Sequence, residues 1–184
     1  IHYATDQQVL EESICGLRFL VSPQSFFQIN RFTVEELYTT AISMFNDFEN
    51  SNFLDLYSGT GTTSLLLAQQ AAHVTSVEVV GAAIADAKEN AIRNNIDNVT
   101  FLQAKAEDVV EQLTKDHKLH KALVDPPRKG LDKAVVEAIG ESAIEELVYI
   151  SCNPTTQARD VALFAEYGFE VKRVAGLDQF PNTS

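Results

Sequence analysis

Two short polar runs hold the residues best suited to chemistry. Asp125-Pro126-Pro127-Arg128 follows the apolar run Ala122-Leu123-Val124, and Ser151-Cys152-Asn153-Pro154 follows Leu147-Val148-Tyr149-Ile150. Apolar runs rich in β-branched residues and cut off by proline read as buried parallel strands, which places each tetrapeptide at a carboxyl strand end. Open α/β sheets hold their ligands there. An aspartate and a cysteine delivered to one crevice would set an acid or hydrogen-bond acceptor beside a thiol nucleophile. Cys152 is the candidate nucleophile. Cys15, in Ile14-Cys15-Gly16-Leu17, reads as a small packed apolar residue, since nothing around it in sequence would activate a thiol.

A third run, Asp55-Leu56-Tyr57-Ser58-Gly59-Thr60-Gly61-Thr62-Thr63, joins a strand to a helix. Gly59 and Gly61 let the backbone turn tightly and approach a ligand. Ser64 stands where a dinucleotide fingerprint needs its third glycine, and the run lacks the lysine of a phosphate-binding loop, so NAD and ATP lose ground. Glu78 lies at the end of the strand Val74–Val79, where an acid costs desolvation unless it has a partner. Its carboxylate could accept both ribose hydroxyls of a nucleoside. Glu107 and Asp108 read either as neighbours of an adenine amino group or as helix-start acids that complement the helix dipole.

The elements that must position these groups alternate along the chain. Residues 1–30 read as short strands and turns. Thr33-Val34-Glu35-Glu36 has capping-box spacing ahead of a helix of about four turns reaching Phe45. Strands then fall at Phe53–Leu56, Val74–Val79, Val99–Gln103, Ala122–Val124 and Leu147–Ile150. Helices fall at Thr62–Ala72, Ala82–Asn95 and Ala106–Leu113, after a cap at Asp132, and from Thr155 or Thr156 to Gly168. Phe169–Leu177 has strand character. Such alternation predicts a parallel sheet in one doubly wound α/β domain.

At 184 residues the chain fits one domain with a short amino-terminal extension. Its net charge of −12 argues against strong nonspecific nucleic-acid binding by this piece alone, although a local basic patch stays open. The two cysteines are too few for a metal cluster or a disulfide framework, which fits a reducing cytoplasm. No stretch is apolar enough to cross a bilayer, and no secretory signal is visible. The chain starts without methionine, as expected of a piece of a longer protein.

Asp55 to Gly61, Glu78 and Asp125 to Arg128 together resemble the S-adenosylmethionine-dependent methyltransferases. Ser151-Cys152-Asn153-Pro154 narrows the resemblance to the RNA uracil-5-methyltransferase family, which makes 5-methyluridine in transfer RNA and ribosomal RNA. Ser22-Pro23-Gln24-Ser25-Phe26-Phe27-Gln28-Ile29-Asn30 resembles the segment with which that family closes over its cofactor. The resemblance implies a doubly wound, Rossmann-like α/β fold with a mostly parallel sheet. It makes residues 1–32 a strand and lid segment and 33–184 the catalytic domain, truncated at both ends. S-adenosylmethionine is the implied cofactor, with Gln28, Tyr57, Gly59, Gly61, Thr62, Glu78 and Asp125 around it. Cys152 becomes the nucleophile that adds to uracil C6, and Arg128 positions the substrate or braces the site.

The family's general base is a glutamate closely following a Phe-Pro-x-Thr motif. Here Phe180-Pro181-Asn182-Thr183 is present and the chain ends one residue later, so the piece by itself is expected not to turn over. RNA docking is expected to need an amino-terminal β-barrel outside the chain. Two other readings stay open: a noncatalytic S-adenosylmethionine-binding module, and a cytosine-5 methyltransferase, which also uses a cysteine. An adenine-N6 enzyme fits less well, because Arg128 stands where an aromatic residue would stack on the base, and an NAD oxidoreductase is more remote.

Overall fold

The computed structural model describes residues 10–23, 25, 28, 30, 32–115 and 118–179. Residues 1–9 of the extension, Gln24, Phe26, Phe27 and Ile29 of the lid segment and the Phe180–Thr183 run lie outside the described residues.

The chain opens with an antiparallel hairpin, β1 (Leu10–Ile14) and β2 (Leu17–Val21). Its two-residue turn places Cys15 at φ 49° and Gly16 at φ 81°, the backbone that right-handed strand twist favours in a tight hairpin. Helix α1 (Val34–Ile42) follows. Five parallel strands then form the main sheet: β3 (Asn52–Leu56), β4 (His73–Glu78), β5 (Val99–Gln103), β6 (Lys121–Val124) and β7 (Glu146–Tyr149). The helices between and after them are α2 (Thr62–Ala68), α3 (Gly81–Arg93), α4 (Ala106–Lys115), α5 (Lys133–Gly140) and α6 (Pro154–Glu166).

Strand order is β5-β4-β3-β6-β7, so the direction of winding reverses between β3 and β6. Side chains alternate across the sheet with the two-residue period of a strand. Leu54, Leu56, Ala122 and Val124 pack with Val110, Val135, Ile139 and Phe164 of α4, α5 and α6. Phe53 and Leu123 point the other way, toward Ala41 of α1 and Leu67 of α2. Helices therefore cover both faces, giving the doubly wound, Rossmann-like architecture expected from the alternation. No helix among the described residues is long and apolar enough to cross a membrane.

Four expectations need correction. Helix α1 stops at Ile42, nearer two and a half turns than four. Beyond it Met44 and Phe45 donate to carbonyls three residues back, which carries Phe45 into an aromatic cluster 5.0 Å from Phe53. Thr33 makes no side-chain cap; its hydroxyl donates instead to Gln179 Oε1 at 3.0 Å. Helix α2 ends at Ala68, short of Ala72: the Ala72 N–H donates to the Ser51 carbonyl at 3.1 Å, and Asn98 Nδ2 donates to the carbonyls of Ala68 and Ala71 at 2.9 and 3.0 Å. Finally, 169–177 joins no ladder, and its Val171 and Val174 are 60% and 85% exposed. Strand propensity without a pairing neighbour does not make a strand. By contrast, Asp132 does cap α5, accepting from Ala134 N–H at 3.1 Å.

Candidate active site

In open α/β sheets a topological switch point holds the ligand crevice, and here β3 and β6 flank it. Gln28, Tyr57, Gly59, Thr62 and Asp125, five of the residues singled out in the sequence, line one cleft with Tyr38, Ser58, Thr60 and Thr63. Gly61 sits just behind, as the N-cap of α2, at φ 81°. A Cβ there would lie 2.9 Å from Ala87 Cβ, so glycine is required both by the backbone and by the close approach of α3. Tyr57 also has a positive φ, 65°, costly for a residue with a side chain. Glu78 enters through the loop backbone: Oε2 accepts from Gly59 N–H at 3.0 Å and Oε1 from Val80 N–H at 2.8 Å.

Beneath the cleft lies an acid pair. Asp55 is fully buried in β3, where Oδ2 accepts from Thr63 Oγ1 at 2.7 Å and Ser64 Oγ at 2.5 Å. Among the described residues its other oxygen has no hydrogen-bond partner. Burial pushes its pKa up to about 6 against the pull of those two hydroxyls, and the charge of Glu78 adds to the rise. Asp125 is pushed up to about 7, by burial first and then by Asp55. Tyr38 is driven above its ordinary value by burial and then by these two carboxylates. An acid inside the run Phe53-Leu54-Asp55-Leu56 was the available sequence signal; Tyr38 is one of the buried residues of α1.

Cys152 and Arg128 are placed differently. Both are exposed, on loops that adjoin the cleft without lining it. Their loops are stitched together: Asn153 Nδ2 donates to the Arg128 carbonyl at 3.0 Å, and Thr156 Oγ1 reaches the same carbonyl at 3.1 Å. Asn153 also caps α6 by accepting from Thr155 N–H at 3.1 Å, with Pro154 as the first helical residue. That start lies one or two residues before the expected Thr155 or Thr156, in agreement with proline's preference for the opening position.

Asp160 extends the bracing. It is fully buried and accepts from Leu131 N–H at 2.8 Å, Tyr149 OH at 2.9 Å and the Arg159 guanidinium at 2.6 and 2.8 Å. Arg159 donates in turn to the Lys129 carbonyl at 3.0 Å. Gly130 sits in this knot at φ 80°, where a Cβ would come within 2.5 Å of Asp160 Oδ2. The sequence offered no local sign of Asp160, Asn153 or Thr156 as bracing residues, because the backbone groups they hold in the Arg128 to Leu131 loop lie 25 to 29 residues away.

Cys15 matches its reading as a packing residue. It is half-buried, and burial and then Glu35 raise its thiol pKa. Glu107 and Asp108 stand in the first turn of α4.

The sequence profile of the tRNA (uracil-5-)-methyltransferase family matches residues 6–184. An uncharacterized RNA methyltransferase of Fusobacterium nucleatum is 40% identical over 179 residues, covering 97% of this chain and 39% of the relative. Another, from Lactiplantibacillus plantarum, is 45% identical over 176 residues, 95% of this chain and 38% of the relative. The chain thus spans about two fifths of the length of these relatives. Among solved structures, the Pyrococcus abyssi tRNA (uracil-54, C5)-methyltransferase in complex with S-adenosyl-L-homocysteine superposes with a TM-score of 0.71 at 30% identity. That match covers 85% of this chain and 38% of the other.

Proposed function

From the premise that this chain belongs to the tRNA (uracil-5-)-methyltransferase family, we propose that it is the S-adenosylmethionine-binding catalytic part of an enzyme that methylates C5 of a uridine in tRNA or rRNA. Residues 33–184 form the catalytic domain in this reading, and residues 1–32 form the strand and lid segment laid against it. The carrying observation is the charge of the cleft. Asp125 lines it, Asp55 lies beneath it and Glu78 holds its glycine loop, while no lysine or arginine is among the described residues that line it. Such a site repels the phosphates of NAD or ATP and favours a ligand bearing positive sulfonium and ammonium groups. The donor therefore suits the residues present.

S-adenosylmethionine supplies an electrophilic methyl group when bound. Glu78, already oriented by two backbone N–H groups, accepts the ribose hydroxyls through its remaining lone pairs. Gly59, Gly61 and Thr62 shape the floor, and Gln28, Tyr57 and Asp125 border the ligand. Uracil C5 is a poor nucleophile until the ring becomes electron-rich. The Cys152 thiolate provides this by forming a bond to C6, which moves the C5–C6 π pair into an enolate. C5 would then form its bond to the methyl carbon as the S–CH3 bond breaks and S-adenosylhomocysteine leaves, a base would remove the C5 proton, and that electron pair would expel the thiolate from C6. Exposure of Cys152 suits a target base turned out of its stack. Arg128 and Lys129 are exposed on the loop stitched to that of Cys152 and offer cations for RNA phosphates in an otherwise acidic chain.

Calorimetric titration tests the first half: S-adenosylhomocysteine should bind this chain and NAD should not compete. The second half needs the full-length protein with RNA containing 5-fluorouridine, which should trap a covalent adduct at Cys152. Cofactor binding without any adduct would leave a noncatalytic binding module.

A further inference from the structure

The docking of β2 on α3 raises a question that the cofactor reading does not answer. One edge of β2 pairs with β1, and the other edge faces a helix, which has no free backbone groups to offer a strand. Side chains take over that task. Asn94 Oδ1 accepts from Arg18 N–H at 2.9 Å, and its Nδ2 donates to the Arg18 carbonyl at 2.8 Å. Asn90 treats Leu20 in the same way, at 2.7 and 3.1 Å. Asp86 Oδ2 accepts from Ser22 N–H at 2.9 Å.

The pattern works because two periods coincide. Four residues of helix rise about 6.0 Å, and two residues of strand rise about 6.6 Å. Residues 86, 90 and 94 of α3 thus meet residues 22, 20 and 18 of β2 rung by rung.

The rungs are unequal. Asn90 is fully buried, and its Nδ2 also lies 3.3 Å from the Thr60 carbonyl, inside the glycine loop. Asp86 also accepts from Ser25 Oγ at 2.6 Å, three residues before Gln28, which lines the cleft. Among the described residues the Asn94 side chain bonds only to Arg18 and the Asn90 carbonyl. Two rungs are wired to the cleft and the third is not.

We propose that Asp86 and Asn90 are positioning residues that tie the seating of the amino-terminal hairpin to the shape of the cofactor cleft, so that ligand binding and hairpin docking reinforce each other. This coupling rests on the S-adenosylmethionine reading of the cleft. It has two faces. Binding above Gly59–Gly61 stiffens Thr60 and, through Asn90, the backbone of Leu20; a loosened hairpin lets both Gln28 and Thr60 drift. Asn94 fastens the same strand with as many bonds to it as Asn90, yet carries no signal.

The test uses this chain, S-adenosylhomocysteine and three substitutions. Asp86→Ala and Asn90→Ala should each weaken binding by about tenfold, the loss of one or two hydrogen bonds. Asn94→Ala should stay within about twofold while lowering the melting temperature comparably. Asp86→Asn keeps the accepting oxygen and should restore affinity, which also covers the case in which Asn90→Ala fails to fold. Amide exchange supplies a readout that mere stability would not move: ligand should slow exchange at Leu20 and Ser22 in the unaltered chain, and much less in Asp86→Ala. Equal affinity losses in the Asp86 and Asn94 variants, or no ligand effect at Leu20 and Ser22, would overturn the coupling while leaving the cofactor reading intact. Failure of the unaltered chain to bind S-adenosylhomocysteine would remove both.

Discussion

On the β3–β4 side of the crevice the functional groups are already bonded: both oxygens of Glu78 hold backbone N–H groups, and Asp55 is buried among hydroxyls. On the β6–β7 side the backbone is what is fastened. Asn153, Thr156 and Asp160 clamp the loop of Arg128 to Leu131, while the side chains of Arg128 and Cys152 stay exposed. The first arrangement suits a small ligand that fills a fixed cleft, since its partners need no reorganisation. The second suits a large ligand arriving from solvent, which must reach the reacting atom itself. One half fixes side chains and the other fixes main chain.

Substitutions can break this contrast from either side. The largest effect is expected from Cys152→Ser in the full-length protein, where methylation should fall by on the order of 10⁴-fold or more. Affinity for S-adenosylhomocysteine should hold within about twofold, because Cys152 lies outside the cleft. A large affinity loss would mean that the halves are not separable. Glu78→Ala attacks the other half, and calorimetry should show binding weakened by about 10- to 100-fold, the range for hydrogen bonds to a charged group. Unchanged affinity would remove Glu78 from the site.

Gly130→Ala sharpens the distinction between main chain and side chain. It forces a Cβ to within 2.6 Å of Arg159 Nη2 in a left-handed backbone. Stability should drop by about 2 kcal/mol, and methylation should drop with it. Cofactor affinity, measured well below the melting temperature, should remain. Parallel losses of both would show the clamp serving the whole crevice.

The smallest effect concerns Asp125, whose pKa is raised from 3.8 to about 7 in the folded chain. Between those values the folded state keeps a proton that the unfolded state has released, so stability falls as pH rises through the window. Asp125→Asn has no proton to lose. Its melting temperature should match the parent near pH 4 and exceed it by a few degrees near pH 8. A gap that shrinks with rising pH would contradict the burial of this acid.

The sheet was legible because parallel strands buried on both faces are written as apolar runs, and proline or glycine marks where each loop begins. That sufficed to place Asp125, Arg128 and Cys152 on loops at carboxyl strand ends and to set Glu78 at the end of its strand. What escaped depended on partners distant in the chain. Asn90 and Asn94 look like solvated helix residues until β2 lies against them, and Asp160 looks like a surface acid until Leu131, Tyr149 and Arg159 close around it. Thr33 had the right spacing for a cap and lost its hydroxyl to Gln179. The run 169–177 had strand composition and no strand to pair with. Local pattern reports propensity, and only tertiary contact decides how a polar side chain is used.

The ladder on α3 also sets an order in time. Arg18, Leu20 and Ser22 bond to side chains that follow them by 76, 70 and 64 residues. During synthesis at about 5–20 residues per second, the strand therefore waits roughly 3–15 s for its partners to be made. Throughout that interval one edge of the hairpin is open to any other chain, and the glycine loop is built before the residue that steadies Thr60. The hairpin, first of these elements to leave the ribosome, cannot take its seat until α3 has been made.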